Sequence, residues 1–202
     1  MKLYSIIPAA GKSKRMKSNK YLLPLSCNKT IIECTIENLL KSNIDKIYLV
    51  TYDMNPLNNL INKYPINVCI NNNINSQMSD SIKIALNSII KREKEISDKT
   101  GLMIALADQP AVMTKTINII IDEYLNHPYK IVIPTYQDKR GHPTIFPYKL
   151  IKEIYFEPTL REIIKKHKEK VLHKKINDKG IILDIDYPED YSYILNYLKT
   201  ND

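Results

Sequence analysis

Apolar positions recur along this chain in two rhythms, one suited to strands and one to helices. Leu3–Pro8 is a short apolar run rich in β-formers and predicts a buried strand. A long polar loop follows, to about Lys29. Thr30-Ile31-Ile32-Glu33 then reads as a capping box, and Ile32, Ile36, Leu39 and Leu40 give the helix behind it an apolar face. Lys46–Thr51 predicts a second strand, Pro56–Lys63 a short helix and Ile66–Ile70 a third strand. Met78, Ile82, Ala85, Leu86, Ile89 and Ile90 form the clearest helical stripe. Gly101–Ala107 is nearly continuous in apolar residues, as a central parallel strand buried on both faces requires. Ile117, Ile120, Ile121, Tyr124 and Leu125 mark the next helix. Lys130–Pro134, Thr144–Phe146, Val171–Ile176 and Ile181–Ile185 predict further strands. Tyr191, Ile194, Leu195 and Leu198 mark a last helix.

Strands alternating with helices imply βαβ units, an α/β class and a mostly parallel sheet. The alternation breaks over residues 135–180, where a small antiparallel insertion on the same domain is expected. No repeat or linker divides the chain, so residues 1–202 are expected to form one domain. In such sheets ligands bind beyond the carboxyl ends of the strands. The loops there are 8–20, 71–81 and 107–110.

Composition narrows the function. No apolar run is long enough to cross a bilayer. The apolar part of the N-terminus is too short for a signal peptide and runs into a basic loop, so a cytoplasmic protein is expected, with no membrane partner. Cys27, Cys34 and Cys69 have no metal-ligand spacing and read as reduced thiols. The net charge of +8 fits phosphates or nucleic acid, and equally a Lys-, Asn- and Ile-rich coding bias. There is no nucleic-acid recognition motif, no Trp and only two Phe, so no nucleic-acid partner is expected.

The first loop carries the strongest chemical signal. Pro8-Ala9-Ala10-Gly11-Lys12-Ser13 contains G-K-S, but a P-loop needs a glycine where Ile6 stands, inside the strand. The dinucleotide fingerprint is missing too. What remains is a run of small residues, Ala9-Ala10-Gly11, followed by Lys12, Lys14, Arg15, Lys17 and Lys20. Small residues let a ligand approach the backbone, and amides plus cations suit a polyphosphate. A solvated basic loop is the plainer alternative.

Asp108 follows the central apolar run directly. It suits a Mg²⁺ ligand at the sheet mouth, or a helix cap ahead of Pro110. Asp184 and Asp186, two apart on an expected strand, would face one side. Asp186, with Pro188 and Glu189 after it, also reads as an N-cap, which favours Asp184 as a ligand. Ser79 and Ser81 open the clearest helix and suit capping or contact with a nucleotide. His142, in R-G-H-P, suits a structural role or an anion or substrate contact.

The motifs P-A-A-G-K-S-K-R-M-K-S-N-K (8–20), Q-M-S-D-S-I (77–82), A-D-Q-P (107–110), R-G-H-P-T-I-F (140–146), L-R-E-I-I-K-K-H (160–167) and D-I-D-Y-P-E-D-Y (184–191) together resemble the MobA-like nucleotidyltransferases. They are most similar to the molybdenum cofactor cytidylyltransferase branch. Lys17 and Gln77 stand where the family usually has glycine.

The resemblance implies a Rossmann-like three-layer sandwich of the nucleotide-diphospho-sugar transferase type. It implies transfer of CMP from CTP to the phosphate of molybdopterin, with Mg²⁺ as cofactor, and a recipient molybdoenzyme as a further partner. Ala10, where the GTP-using branch has a second glycine, points to CTP. The implied nucleotide site is Ala9, Ala10, Gly11, Lys12, Ser13, Ser79 and Ser81. Arg15, Lys20 and Asp108 are the implied catalytic residues, His142 lies on the substrate side, and Asp108 with Asp184 or Asp186 holds the metal. Two rival expectations are a sugar- or alcohol-phosphate nucleotidyltransferase of the same fold and a non-catalytic accessory protein that carries a pterin nucleotide.

Overall fold

The computed structural model describes residues 1–11, 16, 19–26, 28–52, 58–73 and 75–201. Four parallel strands form one half of the main sheet: β1 (Leu3–Ala9), β4 (Lys46–Thr51), β5 (Asn67–Ile70) and β6 (Gly101–Ile104). β1 is flanked by β4 and β6, so it is buried on both faces and its side chains alternate between two cores. Leu3, Ile7 and Ala9 join one core, whereas Tyr4 and Ile6 join the other.

The other half of the sheet contains β7 (Ile131–Tyr136), β8 (Lys139–Arg140), β9 (Thr144–Pro147) and β10 (Val171–Lys175). Across the eight-stranded sheet the order is β10-β7-β9-β6-β1-β4-β5, with β8 paired to β7. The antiparallel insertion is therefore woven into the sheet. β9 runs antiparallel between β6 and β7, and its first residue, Thr144, pairs with Ile104 at the end of β6. That reversal brings residues 141–143 to the carboxyl ends of the parallel strands. The polar loop after β1 also contains a short antiparallel pair, β2 (Pro24–Ser26) with β3 (Lys29–Thr30).

Helices cover both faces. On one side lie α1 (Ile31–Leu40), α2 (Asn58–Lys63) and α4 (Thr114–Asn126), and on the other α3 (Met78–Arg92), α5 (Tyr148–Ile151) and α6 (Leu160–Lys166). This is the expected Rossmann-like three-layer arrangement. The capping box of α1 forms as read: Glu33 N donates to Thr30 Oγ1, and Glu33 accepts from Thr30 N at 2.8 Å. The stripe ends are less buried than their spacing suggests, with Met78, Ile90 and Leu125 exposed. α7 (Pro188–Asn201) packs Ile194 against Leu25, Ile31 and Ile185. None of the described helices is long and apolar enough to cross a membrane.

One predicted strand is absent. Ile181–Ile185 forms part of a 3₁₀ turn, Lys179–Ile182, and then an extended arm. The turn is fixed from outside. Asp178, 3 % exposed, accepts from Gly180 N with Oδ1, and from Met113 N and Thr116 Oγ1 with Oδ2. A Cβ on Gly180 would collide with the carbonyl of Ala111, so the turn can lie this close only with glycine. Its carbonyls and amides go to loops and not to a strand: Ile181 O accepts from His142 N, and Ile185 N donates to Asp108 O. Ile181 and Ile185 are fully buried all the same, which explains the apolar run.

Candidate active site

β1 delivers Ala9 and Ala10, both buried, to the sheet mouth and Gly11 to solvent. Among the described residues, a Cβ on Gly11 would meet Tyr21 Oη alone, at 3.5 Å. Lys12, Ser13 and Arg15 lie outside the described residues, as do Lys14, Lys17 and Cys27. Of the other cysteines, Cys69 is buried and Cys34 half-buried.

Lys20 is the centre of the site. It begins a 3₁₀ turn, Lys20–Leu22, in which Asn19 Oδ1 accepts from Tyr21 N at 3.3 Å. The turn buries Lys20 to 6 % exposure. Its ammonium donates to Asp108 Oδ2 at 2.6 Å, Ile185 O at 2.7 Å and Asp186 Oδ1 at 2.9 Å. Burial pulls the Lys20 amine down, but the charge and hydrogen bonds of Asp108 and Asp186 outweigh it, so the ammonium is held above its ordinary range.

Asp108 does not cap a helix. It lies half-buried beyond β6, and α4 begins only at Thr114. Asp186 is not an N-cap either. Asp190 fills that role from inside α7, accepting from Asp186 N at 3.0 Å and Tyr187 N at 2.8 Å. The Asp186 carboxylate is thereby released to face Lys20. Asp184 takes a separate partner, accepting from Gln109 Nε2 at 2.6 Å. Partial burial raises the Asp184 carboxyl, with Asp108 and Asp186 adding to the effect and Gln109 opposing it.

Gln109 was not among the residues expected to act. It is 4 % exposed and its Nε2 also donates to Ile181 O at 3.2 Å, while its Oε1 is buried without a partner among the described residues. Its signal in the sequence is only its place after Asp108 in A-D-Q-P. Asp178 was likewise missed, and only the following Lys179-Gly180 hints at its turn.

His142 reaches the same mouth. Its Nδ1 lies 3.4 Å from Ile104 O, which can only accept, so this contact favours the tautomer with the proton on Nδ1 and Nε2 as the acceptor. Burial holds its pKa below the ordinary value, against the pull of the Ile104 carbonyl and the charges of Asp184 and Asp108. The sequence-derived set thus converges on Lys20, Asp108, Asp184, Asp186 and His142, just beyond Ala9–Gly11.

Ser79 and Ser81 make no hydrogen bond to that set among the described residues. Both are buried within α3, and Ser81 Oγ accepts from Asn71 Nδ2 at 3.3 Å. Neither caps the helix. Asp80 does so, accepting from Gln77 N at 2.9 Å.

Residues 5–174 match the MobA-like NTP transferase domain. The chain belongs to this family. With it comes the general class, nucleotidyltransferase. No curated protein sequence gives a match. Many solved proteins share the fold, and the three described next do so at low identity. Rv0371c of Mycobacterium tuberculosis H37Rv is 22% identical over 97% of this chain and 98% of its own, with a TM-score of 0.79. It is also known as a complex with manganese. A nucleotidyl transferase from Methanothermobacter is 17% identical over 100% of this chain and 99% of its own, TM-score 0.81. A CMP:2-keto-3-deoxy-manno-octonic acid synthetase complexed with CTP is 10% identical over 100% of both chains, TM-score 0.80.

Proposed function

We propose that residues 1–202 act as one domain that moves CMP from CTP onto the phosphate of molybdopterin and releases pyrophosphate. Mg²⁺ serves as cofactor, and a recipient molybdoenzyme takes the product. The observation that carries this reading is a cation, Lys20, bridging two carboxylates, Asp108 and Asp186, at the sheet mouth where β1 ends.

The carboxylates suit a hard cation. Lys20 Nζ already stands in for one, between oxygens at 2.6 and 2.9 Å. Among the described residues no group of three or more His, Cys, Asp or Glu could hold a metal alone. That agrees with Mg²⁺, which takes one or two carboxylates and completes its shell with substrate phosphates and water. Asp108 and Asp186 would hold it, with Asp184 beside them. When bound, it would neutralise charge on the phosphates.

The chain's own residues position and neutralise. Backbone amides at Ala9, Ala10 and Gly11, with Lys12 and Ser13, take the triphosphate. Ser79 and Ser81 lie on the base side. Arg15 and Lys20 balance the charge that builds on the leaving pyrophosphate. His142 offers Nε2 to the acceptor. A phosphate acceptor is already ionised near neutral pH, so the site needs no general base. Next to Asp184 and Asp186 opens a cavity of about 310 Å³ whose walls include Leu183, Tyr187, Asp190 and Tyr193, and it suits the acceptor.

A second reading keeps the chemistry and changes the acceptor to another sugar or alcohol phosphate. It is favoured by the shared fold with the CTP-bound synthetase. A test is pyrophosphate release with Mg²⁺, each of the four NTPs, and molybdopterin present or absent. Release with CTP only when molybdopterin is present supports the first reading. Release with a different acceptor moves the assignment to the second. Bound nucleotide with no release under any condition would leave a carrier of pterin nucleotides. Asp108→Ala is expected to lower turnover by about 100-fold or more.

A further inference from the structure

Lys20 has a commitment that a simple phosphate-binding lysine lacks. An ammonium has three donors, and all three are spent inside the protein, on Asp108 Oδ2, Ile185 O and Asp186 Oδ1. At 6 % exposure none points outward to a ligand. The same two carboxylates are the ones the metal needs. A divalent ion bonded to these carboxylates would lie within a few ångströms of Nζ and repel it strongly.

We propose that Lys20 is the resident counter-ion of the metal site, so that a divalent cation binds well only together with the triphosphate that takes Lys20 over. This rests on Asp108 and Asp186 being the metal carboxylates. Without a nucleotide, an entering metal strips a buried ammonium of both its counter-charges and leaves it only Ile185 O among the described residues, a heavily disfavoured state. With a triphosphate at Gly11, Lys20 exchanges two carboxylates for phosphate oxygens while the metal takes the carboxylates. Metal and nucleotide therefore assist one another beyond their direct contact, and by linkage the help is mutual. Lys20 consequently serves both ends of the cycle. It keeps Asp108 and Asp186 converged in the empty protein, and it balances phosphate charge in the loaded one.

The test is binding of Mn²⁺ alone to the full chain, followed by the spin signal of free Mn²⁺, without nucleotide. Lys20→Met is expected to bind Mn²⁺ about tenfold or more tightly than the unaltered protein. Lys179→Met, which removes a lysine bonded to Tyr193, controls for net charge and should change affinity by less than about twofold. Asp108→Ala in the Lys20→Met background should abolish the gain. Lys20→Gln, which keeps a donor for one carboxylate, serves where Lys20→Met does not fold, with the same direction expected. Affinity unchanged or weaker in both Lys20 variants, yet still lost on Asp108→Ala, would overturn the counter-ion role and leave the metal site standing. No Mn²⁺ binding in any form, with or without CTP, would overturn both.

Discussion

Gln109 sets how Asp184 is presented. Its amide donates to Asp184 Oδ1 at 2.6 Å. Replacing it by Leu removes that donor next to a carboxylate that burial and the charges of Asp108 and Asp186 already push toward its neutral form. Gln109→Leu should therefore raise the Mg²⁺ concentration for half-maximal turnover by about tenfold, the loss of one charged hydrogen bond. The KM for CTP should hardly move, which separates positioning from general damage. Stability should fall by about 1–2 kcal/mol, because Asp184 Oδ1 and Ile181 O lose a buried donor, partly offset by removal of the unpartnered Oε1. Asp108 could be read from its place after an apolar strand. Gln109 could not, because its importance depends on a turn 75 residues further along the chain.

Elements were most legible where one local rule acts alone. The α1 capping box needs only four consecutive residues and formed as expected. The Ile181–Ile185 run misled because burial, and not pairing, keeps it apolar; its backbone groups bond to Asp108, His142 and Gln109. The α7 cap misled by one turn: Asp186 was expected to cap and Asp190, four residues on, accepts from Asp186 N and Tyr187 N.

The β7–β8 hairpin bears its own strain. Gln137 and Asp138 both have positive φ, 46° and 63°, a conformation that favours Asn and Gly. The double change Gln137→Asn with Asp138→Gly should stabilise the protein by about 1 kcal/mol, a rise in midpoint of roughly 2–4 °C in thermal melting. No change at the active site is expected.

The whole molecule should be most stable at neutral pH and above, and weaken toward acid in two stages. His142 titrates below its ordinary value of 6.5 because burial disfavours its charged form, so the unfolded chain takes up that proton first. Stability is then fully present above about pH 6.5 and falls as pH drops through the folded value. A second stage lies below 4.5. Lys46 holds Glu93 low, with Tyr48 and Tyr4 as further donors against the effect of burial. Burial pushes Glu37 up, but Lys29 and Tyr64 more than reverse it. Both carboxylates stabilise the fold above 4.5 and lose that contribution as they protonate below it. Urea unfolding at pH 8, 6 and 4 checks the order, and Glu93→Gln should flatten the lower stage.

The sequence alone determined the alternating α/β plan, most strand and helix positions, and the candidate residues Lys20, Asp108, Asp184, Asp186 and His142. Hydrophobic period and position after a strand are local properties, and they survive without knowledge of the fold. Tertiary structure decided three further things: that β9 enters the sheet in reverse and brings His142 to the mouth, that Asp178 and Gln109 set the 179–186 segment, and that Lys20 bridges Asp108 and Asp186. Each depends on groups far apart along the chain or on a choice among equivalent carboxylates. Such choices are settled by the need to pair every buried charge and backbone group, which only the assembled fold defines.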